Sequence, residues 1–222
     1  SKQYLRELTG GGHKIHASNS LDEGRANSLM LGINNKNKIL FSNPPGSVSW
    51  NSLREALDFL NSFMPYIVLR GIDNIKYNNN PNDDIDLLVE DAKKAALLIN
   101  SVKSSKLTYR RNFIIKVKNR IVKLDIRDQN DNYYDYRWSK NMLKQRVKNK
   151  SGIYINSNKN QFYSLAYHVL IHKYSIPKKY KKFIQKNGSL NKIKKELIAF
   201  LYENNYKFVE PEDFTVGFNH KD

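Results

Sequence analysis

Three aspartates in two short stretches carry the chemistry this chain offers. The first stretch is Asp84-Ile85-Asp86-Leu87-Leu88-Val89 and the second is Ile121-Val122-Lys123-Leu124-Asp125-Ile126. In each, a carboxylate alternates with apolar residues at the strand period of two. Asp84 and Asp86 therefore share one face of a strand, with Ile85 and Leu87 on the other, and Asp125 projects in the same way from a later strand. Carboxylates on one strand face repel each other, and Asp is a poor strand former. A positive group is expected between them. A pair of hard divalent cations, Mg²⁺ or Mn²⁺, held through oxygens meets that need. The chemistry such a pair serves is phosphoryl transfer, because two ions about 3.5–4 Å apart flank the attacking and leaving oxygens of an in-line displacement. The plainer reading of the same residues is a loop end and a solvated strand face.

Composition narrows the alternatives. The chain has 222 residues, enough for one large domain or two small ones, and 40% of them are hydrophobic, so a core can be buried. The absence of cysteine excludes disulfides, thiolate zinc sites and cysteine nucleophiles. No apolar run approaches the roughly 18 residues of a membrane span, and the start, Ser1-Lys2-Gln3-Tyr4-Leu5, has no apolar signal segment. A cytoplasmic setting is the expectation. The net charge of +17 is uneven: from Ser139 to Asp222 there are 17 Lys+Arg against 6 Asp+Glu, or +11. Nine lysines and no acid fall between Lys173 and Lys195. That stretch reads either as a platform for a polyanion such as nucleic acid or as the imprint of a Lys-, Asn- and Ile-rich composition.

The elements that must position the aspartates are legible in outline. Leu21 to Leu31 has helical character, with Gly32 as a C-cap glycine, and a polar linker follows around Pro44-Pro45-Gly46. An amphipathic helix is predicted over Ser49 to Phe63, capped by Ser49 or Asn51 and ended by Pro65. Tyr66-Ile67-Val68-Leu69 is a buried strand and Asp73 to Asp83 an irregular, Asn-rich loop. Strand Ile85 to Val89 leads into a helix over Glu90 to Asn100. Phe113 to Val117 and Ile121 to Ile126 form a hairpin about Lys118-Asn119-Arg120. Helices are predicted over Ser139 to Val147, Gln161 to Tyr174 and Leu190 to Tyr202, with a short strand at Gly152 to Ile155.

The order of strand, glycine-containing turn, irregular loop, Asp-x-Asp strand, helix, hairpin and single-Asp strand resembles the minimal core of the polymerase-β-like nucleotidyltransferase superfamily. Residues 66 to 126 carry the resemblance. Leu69-Arg70-Gly71-Ile72 stands at the family's Gly-Ser or Gly-Gly turn, Asp84-Ile85-Asp86 at its acidic triplet and Asp125 at its third acid. Ile72 occupies the place where the family has Ser or Gly. The segments Asp131-Asn132-Tyr133-Tyr134-Asp135, Trp138, Phe162 to His168, His172-Lys173 and Pro211-x-Asp213 are similar to an uncharacterised microbial and viral group of nucleotidyltransferase-like proteins. The resemblance implies an α+β fold, a small mixed sheet with helices over residues 49–130, followed by a basic, mainly helical subdomain over 131–222. It implies metal binding and catalysis by Asp84, Asp86 and Asp125, with Asp125 also helping to deprotonate the acceptor hydroxyl, and nucleotide contacts from Arg70, Gly71 and Lys173.

The N-terminal part, residues 1–48, holds Lys14-Ile15-His16-Ala17-Ser18-Asn19-Ser20, which resembles the active-histidine segment of nucleoside diphosphate kinases with Ala17 for Gly and Asn19 for Asp. The rest of that fold is missing from the chain, so a truncated or vestigial segment is implied. His168 and His172 stand four apart on a predicted helix and share a face. They read as packing residues, as phosphate or acceptor contacts beside Lys173, or as a metal pair lacking a third ligand in register. Tyr133, Tyr134 and Trp138 read as core packing or as a base-stacking platform. Two functions of different class follow. One is a metal-dependent enzyme that moves a nucleoside monophosphate from an NTP such as ATP to an acceptor hydroxyl. The other is a catalytically inactive module that holds RNA or another polyanion in the same cleft. The intact acidic triad favours the first and Ile72 the second.

Overall fold

The computed structural model describes residues 46, 49–71, 84–104, 106 and 111–219. The His16 segment, the helix over 21–31, Ile72 and the loop over 73–83 lie outside the described residues.

Apolar residues run without a break through Tyr66-Ile67-Val68-Leu69 and Leu87-Leu88-Val89, a pattern suited to strands covered on both faces. They form β2 (Tyr66–Arg70) and β3 (Asp84–Val89) at the centre of a mixed sheet. With β1 (Ser49–Trp50), β4 (Val102–Lys103), β5 (Asn112–Val117), β6 (Arg120–Asp128), β7 (Val147–Lys148) and β8 (Tyr154–Ile155) the sheet has eight strands. Its order is β1-β5-β6-β3-β2-β8-β7, with β4 also paired to β5. β5 and β6 are a hairpin across Lys118-Asn119, Lys118 taking a positive φ of 52° at the turn. β3 runs parallel to β6 and antiparallel to β2.

The alternating side chains of these strands supply two cores. On one face Tyr66, Val68, Ile85, Leu87, Leu124 and Ile126 meet α1 (Leu53–Asn61) and α2 (Ala92–Leu98). On the other, Ile67, Leu69 and Leu88 meet the helices α3 (Tyr136–Lys144), α4 (Asn158–Leu170) and α6 (Leu190–Glu203) through Trp138, Tyr167, Phe200 and their neighbours. A 3₁₀ turn (Lys178–Tyr180) and α5 (Lys181–Asn187) join α4 to α6. Tyr133, Tyr134 and Trp138 are buried in this second core, edge to face with one another, so the packing reading holds. Among the described residues no helix is long and apolar enough to cross a membrane.

Two predicted helices are shorter than their patterns suggest. Ser49 and Trp50 pair with β5 as a strand, and α1 starts after Ser52, whose hydroxyl accepts the Glu55 N–H. Glu55 in turn accepts from the Asn51 N–H, a local capping pair that outweighs the helical periodicity upstream. At the other end of the chain, α4 stops at Leu170. Asn219 donates its backbone N–H to the Ile171 carbonyl and its side-chain amide to the Leu170 carbonyl, so a segment far along the chain satisfies the carbonyls that a continuing helix would have used. His172 and Lys173 therefore lie beyond the helix, and His168 and His172 do not share a helical face.

Candidate active site

The parallel register of β3 and β6 sets Asp86 opposite Asp125. Cross-strand partners project to the same face, so Asp84, Asp86 and Asp125 all leave the sheet on the side of the second core. One carboxylate oxygen from each lies within 4.8 Å of the other two, and among the described residues this is the one cluster of three possible metal ligands. Asp84 is exposed, Asp86 half-buried and Asp125 buried.

Each of the two inner carboxylates already has a cation. Arg70 Nε is 2.7 Å from Asp86 Oδ2. It reaches that face through a bulge. Val68 pairs with Leu87 and Arg70 with Asp86, so β2 carries one residue more than β3 between these pairs. Strict alternation would send Arg70 to the face of Val68; the extra residue turns it to the aspartates. On β6, Arg127 stands two residues after Asp125 and pairs with it: Nη2 donates to Oδ2 at 2.8 Å, and Nε lies 2.8 Å from Oδ1 as an ion-pair contact without hydrogen-bond geometry. Nη2 of the same guanidinium is 3.2 Å from Asp213, its Nη1 is 3.9 Å from Asp131, and its plane lies over the Tyr133 ring at 4.7 Å. Burial raises Asp125 from 3.8 to about 6; Arg127 opposes the rise and Asp86 adds to it. The divalent pair expected between the carboxylates is thus preceded by two guanidiniums, which relieve part of the repulsion without a metal.

Gly71 ends β2 with φ at +82°, and a Cβ placed there would lie 2.5 Å from the Asp84 carbonyl oxygen. Only glycine permits that backbone approach, which draws the end of β2 against the start of β3. A cavity of about 520 Å³ opens here. Its floor is the three aspartates with Arg70 and Gly71, and Lys173, Lys179 and His168 line it as well. Lys173 is half-buried, and burial, Arg70 and Lys179 all lower its pKa, with Asp86 and Asp84 opposing. Among the described residues neither Lys173 nor Lys179 is ion-paired to a carboxylate. All six sequence-predicted site residues therefore line one cavity. The other lysines of the 173–195 stretch are on the 3₁₀ turn, α5 and α6, and Lys178, Lys181, Lys182 and Lys186 among them are exposed.

Sequence reasoning gave no site role to Arg127, Asp131 or Asp213, although Asp131 and Asp213 stand in segments that carry the resemblance. Arg127 had a signal, since Asp125-Ile126-Arg127 continues the same alternation onto the carboxylate face. The pairing of Asp213 with Arg127 had none, because that contact spans 86 residues.

Three carboxylate oxygens within reach of each other make a hard, anionic donor set that fits Mg²⁺ or Mn²⁺, with waters completing the shell. Arg70 and Arg127 each leave lone pairs on their carboxylates for such an ion. No model of a known protein family matches the chain, no curated protein matches it by sequence, and no solved structure matches it.

Proposed function

We propose that the protein is a metal-dependent nucleotidyltransferase that transfers a nucleoside monophosphate from an NTP to an acceptor hydroxyl and releases pyrophosphate. The observation that carries this reading is one cavity lined by three convergent carboxylates and by two lysines that, among the described residues, have no carboxylate partner. A divalent cation on the carboxylates would supply Lewis-acid polarisation of a phosphoryl oxygen. The remaining work falls to the chain. Asp84, Asp86 and Asp125 hold the cation, and Arg70 and Arg127 fix the directions of Asp86 and Asp125. Lys173, with Lys179 beside it, neutralises the phosphates. Asp125 takes the proton of the attacking hydroxyl as that oxygen bonds to phosphorus and the bond from phosphorus to the pyrophosphate oxygen breaks.

The test is transfer of label from α-labelled NTPs, in Mg²⁺ or Mn²⁺, to total RNA, protein or sugar-phosphate acceptors. Transfer that disappears in Asp84→Asn, whose fold is expected to be unchanged, is the expected result. A second reading, an inactive module that holds a polyanion, draws on the arginines that already partner Asp86 and Asp125. It is favoured if no acceptor is labelled and anion binding persists in EDTA.

A further inference from the structure

His168 lies on α4 and is only 7% exposed. Its Nδ1 is 2.9 Å from the Tyr133 hydroxyl. The same hydroxyl receives Arg70 Nη2 at 2.8 Å. A guanidinium can only donate, so Arg70 occupies a lone pair of the hydroxyl, and the hydroxyl proton has no other acceptor than His168 Nδ1 among the described residues. Burial holds the Tyr133 pKa well above its ordinary value, which keeps that proton in place. Nδ1 is thus the acceptor, and the ring proton of the neutral imidazole sits on Nε2. No hydrogen bond of Nε2 forms within the described protein, yet Nε2 is not among the sealed, unpartnered polar atoms, and His168 lines the cavity. The ring therefore presents a fixed N–H donor to the space it shares with Lys173 and Lys179.

We infer that His168 is a ligand-binding residue whose Nε2–H donates to an anionic oxygen of the substrate held beside Lys173 and Lys179. The identity of that oxygen as a phosphoryl oxygen rests on the nucleotidyltransferase reading. Two lysines without carboxylate partners among the described residues call for an anion, and a neutral imidazole adds a directed donor without adding a third repelling charge. Burial first, then Arg70, His172 and the lysines hold His168 neutral. Arg70 also binds Asp86, so Asp86, Arg70, Tyr133 and His168 form one chain from the carboxylate cluster to the anion subsite.

The experiment uses inorganic tripolyphosphate in EDTA, which needs neither a nucleotide nor a metal. Long-range ¹H–¹⁵N spectra of the wild-type protein are expected to show the Nε2–H tautomer of His168, with that resonance moving as tripolyphosphate saturates. His168→Gln keeps an N–H near the Nε2 position and is expected to bind close to wild type. His168→Asn reaches only as far as Nδ1 and is expected to bind about tenfold or more weakly, as for a lost hydrogen bond to a charged group. Tyr133→Phe frees the tautomer and is expected to give a mixed spectrum and intermediate binding. The Nδ1–H tautomer, a resonance unmoved at saturation, or equal affinity in Asn and wild type overturns the inference. These spectra are taken on wild type, so a variant that fails to fold does not decide the matter. Anion binding through His168 with no nucleotidyl transfer would leave this inference standing and remove the enzymatic reading.

Discussion

Arg70 binds Asp86 across two antiparallel strands because β2 carries one residue too many. Without the bulge the guanidinium would point into the apolar face with Val68, and Asp86 would face Asp125 with no cation of its own on that side. The bulge thus converts a strand-end arginine into part of the site, and it also links Asp86 to the two tyrosine hydroxyls that Arg70 touches.

Asp84 offers the cleanest probe of the proposed metal site. It is exposed and makes no ion pair with a described residue, so Asp84→Asn is expected to leave stability within about 0.5 kcal/mol of wild type. Mn²⁺ affinity, followed by the loss of the free-ion electron resonance signal, is expected to fall at least tenfold. Unchanged Mn²⁺ binding would show that the three carboxylates do not act together. Asp86→Asn is a less clean variant, because it also strands the half-buried Arg70.

Arg127 is the charge that makes three buried carboxylates tolerable. Arg127→Met leaves Asp125, Asp131 and Asp213 without their common cation, and removing one partner of a buried ion pair costs about 3–5 kcal/mol. Urea denaturation is expected to show a loss of that size. A loss under about 1 kcal/mol would mean that the carboxylates are already neutral in the folded protein.

Gly71→Ala places a methyl group 2.5 Å from the Asp84 carbonyl at a positive φ. The backbone strain alone is about 1–2 kcal/mol. The first residues of β3 must also move away from β2, carrying Asp84 with them. Lower stability and weaker Mn²⁺ binding are expected together; a stable variant with normal ion binding would show that the close approach is dispensable.

Asp131 gives the pH dependence a definite sign. Burial raises its pKa from 3.8 to about 7, with Arg127 and the Tyr133 N–H opposing, and its Oδ2 has no hydrogen-bond partner. A carboxyl raised on folding stabilises the native state below its unfolded pKa and loses that contribution as pH rises through the folded value. The stability of the wild type relative to Asp131→Asn is therefore expected to fall between about pH 4 and pH 7. Thermal melts of the two proteins across that range test it, and a constant or widening advantage for the wild type refutes it.

The exposed lysines can be separated from the cavity. Changing Lys178, Lys181, Lys182 and Lys186 to Glu leaves Lys173 and Lys179 in place. If this face holds single-stranded nucleic acid, log affinity for wild type falls with log salt at roughly −0.7 per phosphate contacted. The quadruple variant is expected to show a shallower slope and weaker binding to all sequences alike. Binding insensitive to salt would leave the +17 charge as a matter of composition.

The aspartates were legible because their signal is local. A period of two over six residues fixes which side chains share a strand face, and the hairpin that brings Asp125 back is written in adjacent residues. What escaped depends on partners far away in the chain. The face of Arg70 depends on a bulge against β3, which no pattern in Tyr66–Arg70 reveals. The end of α4 depends on Asn219, so the apolar run through His172 looked helical to its last residue. The start of α1 is written locally, since Ser52 with Glu55 three residues on is a capping signature, but a longer amphipathic stretch around it obscures that signal.

The ion pair between Arg127 and Asp213 also imposes an order in time. When a growing chain has just completed β6, the three aspartates and both arginines have been made, but the last carboxylate partner of Arg127 lies 86 residues beyond that arginine and has still to be added. Asn219, which closes the end of α4 below the cavity wall, comes later still. The three aspartates are therefore among the early parts of this site to be synthesised and its supports among the last, so a chain released before residue 213 would carry an acidic cluster with no finished cavity around it.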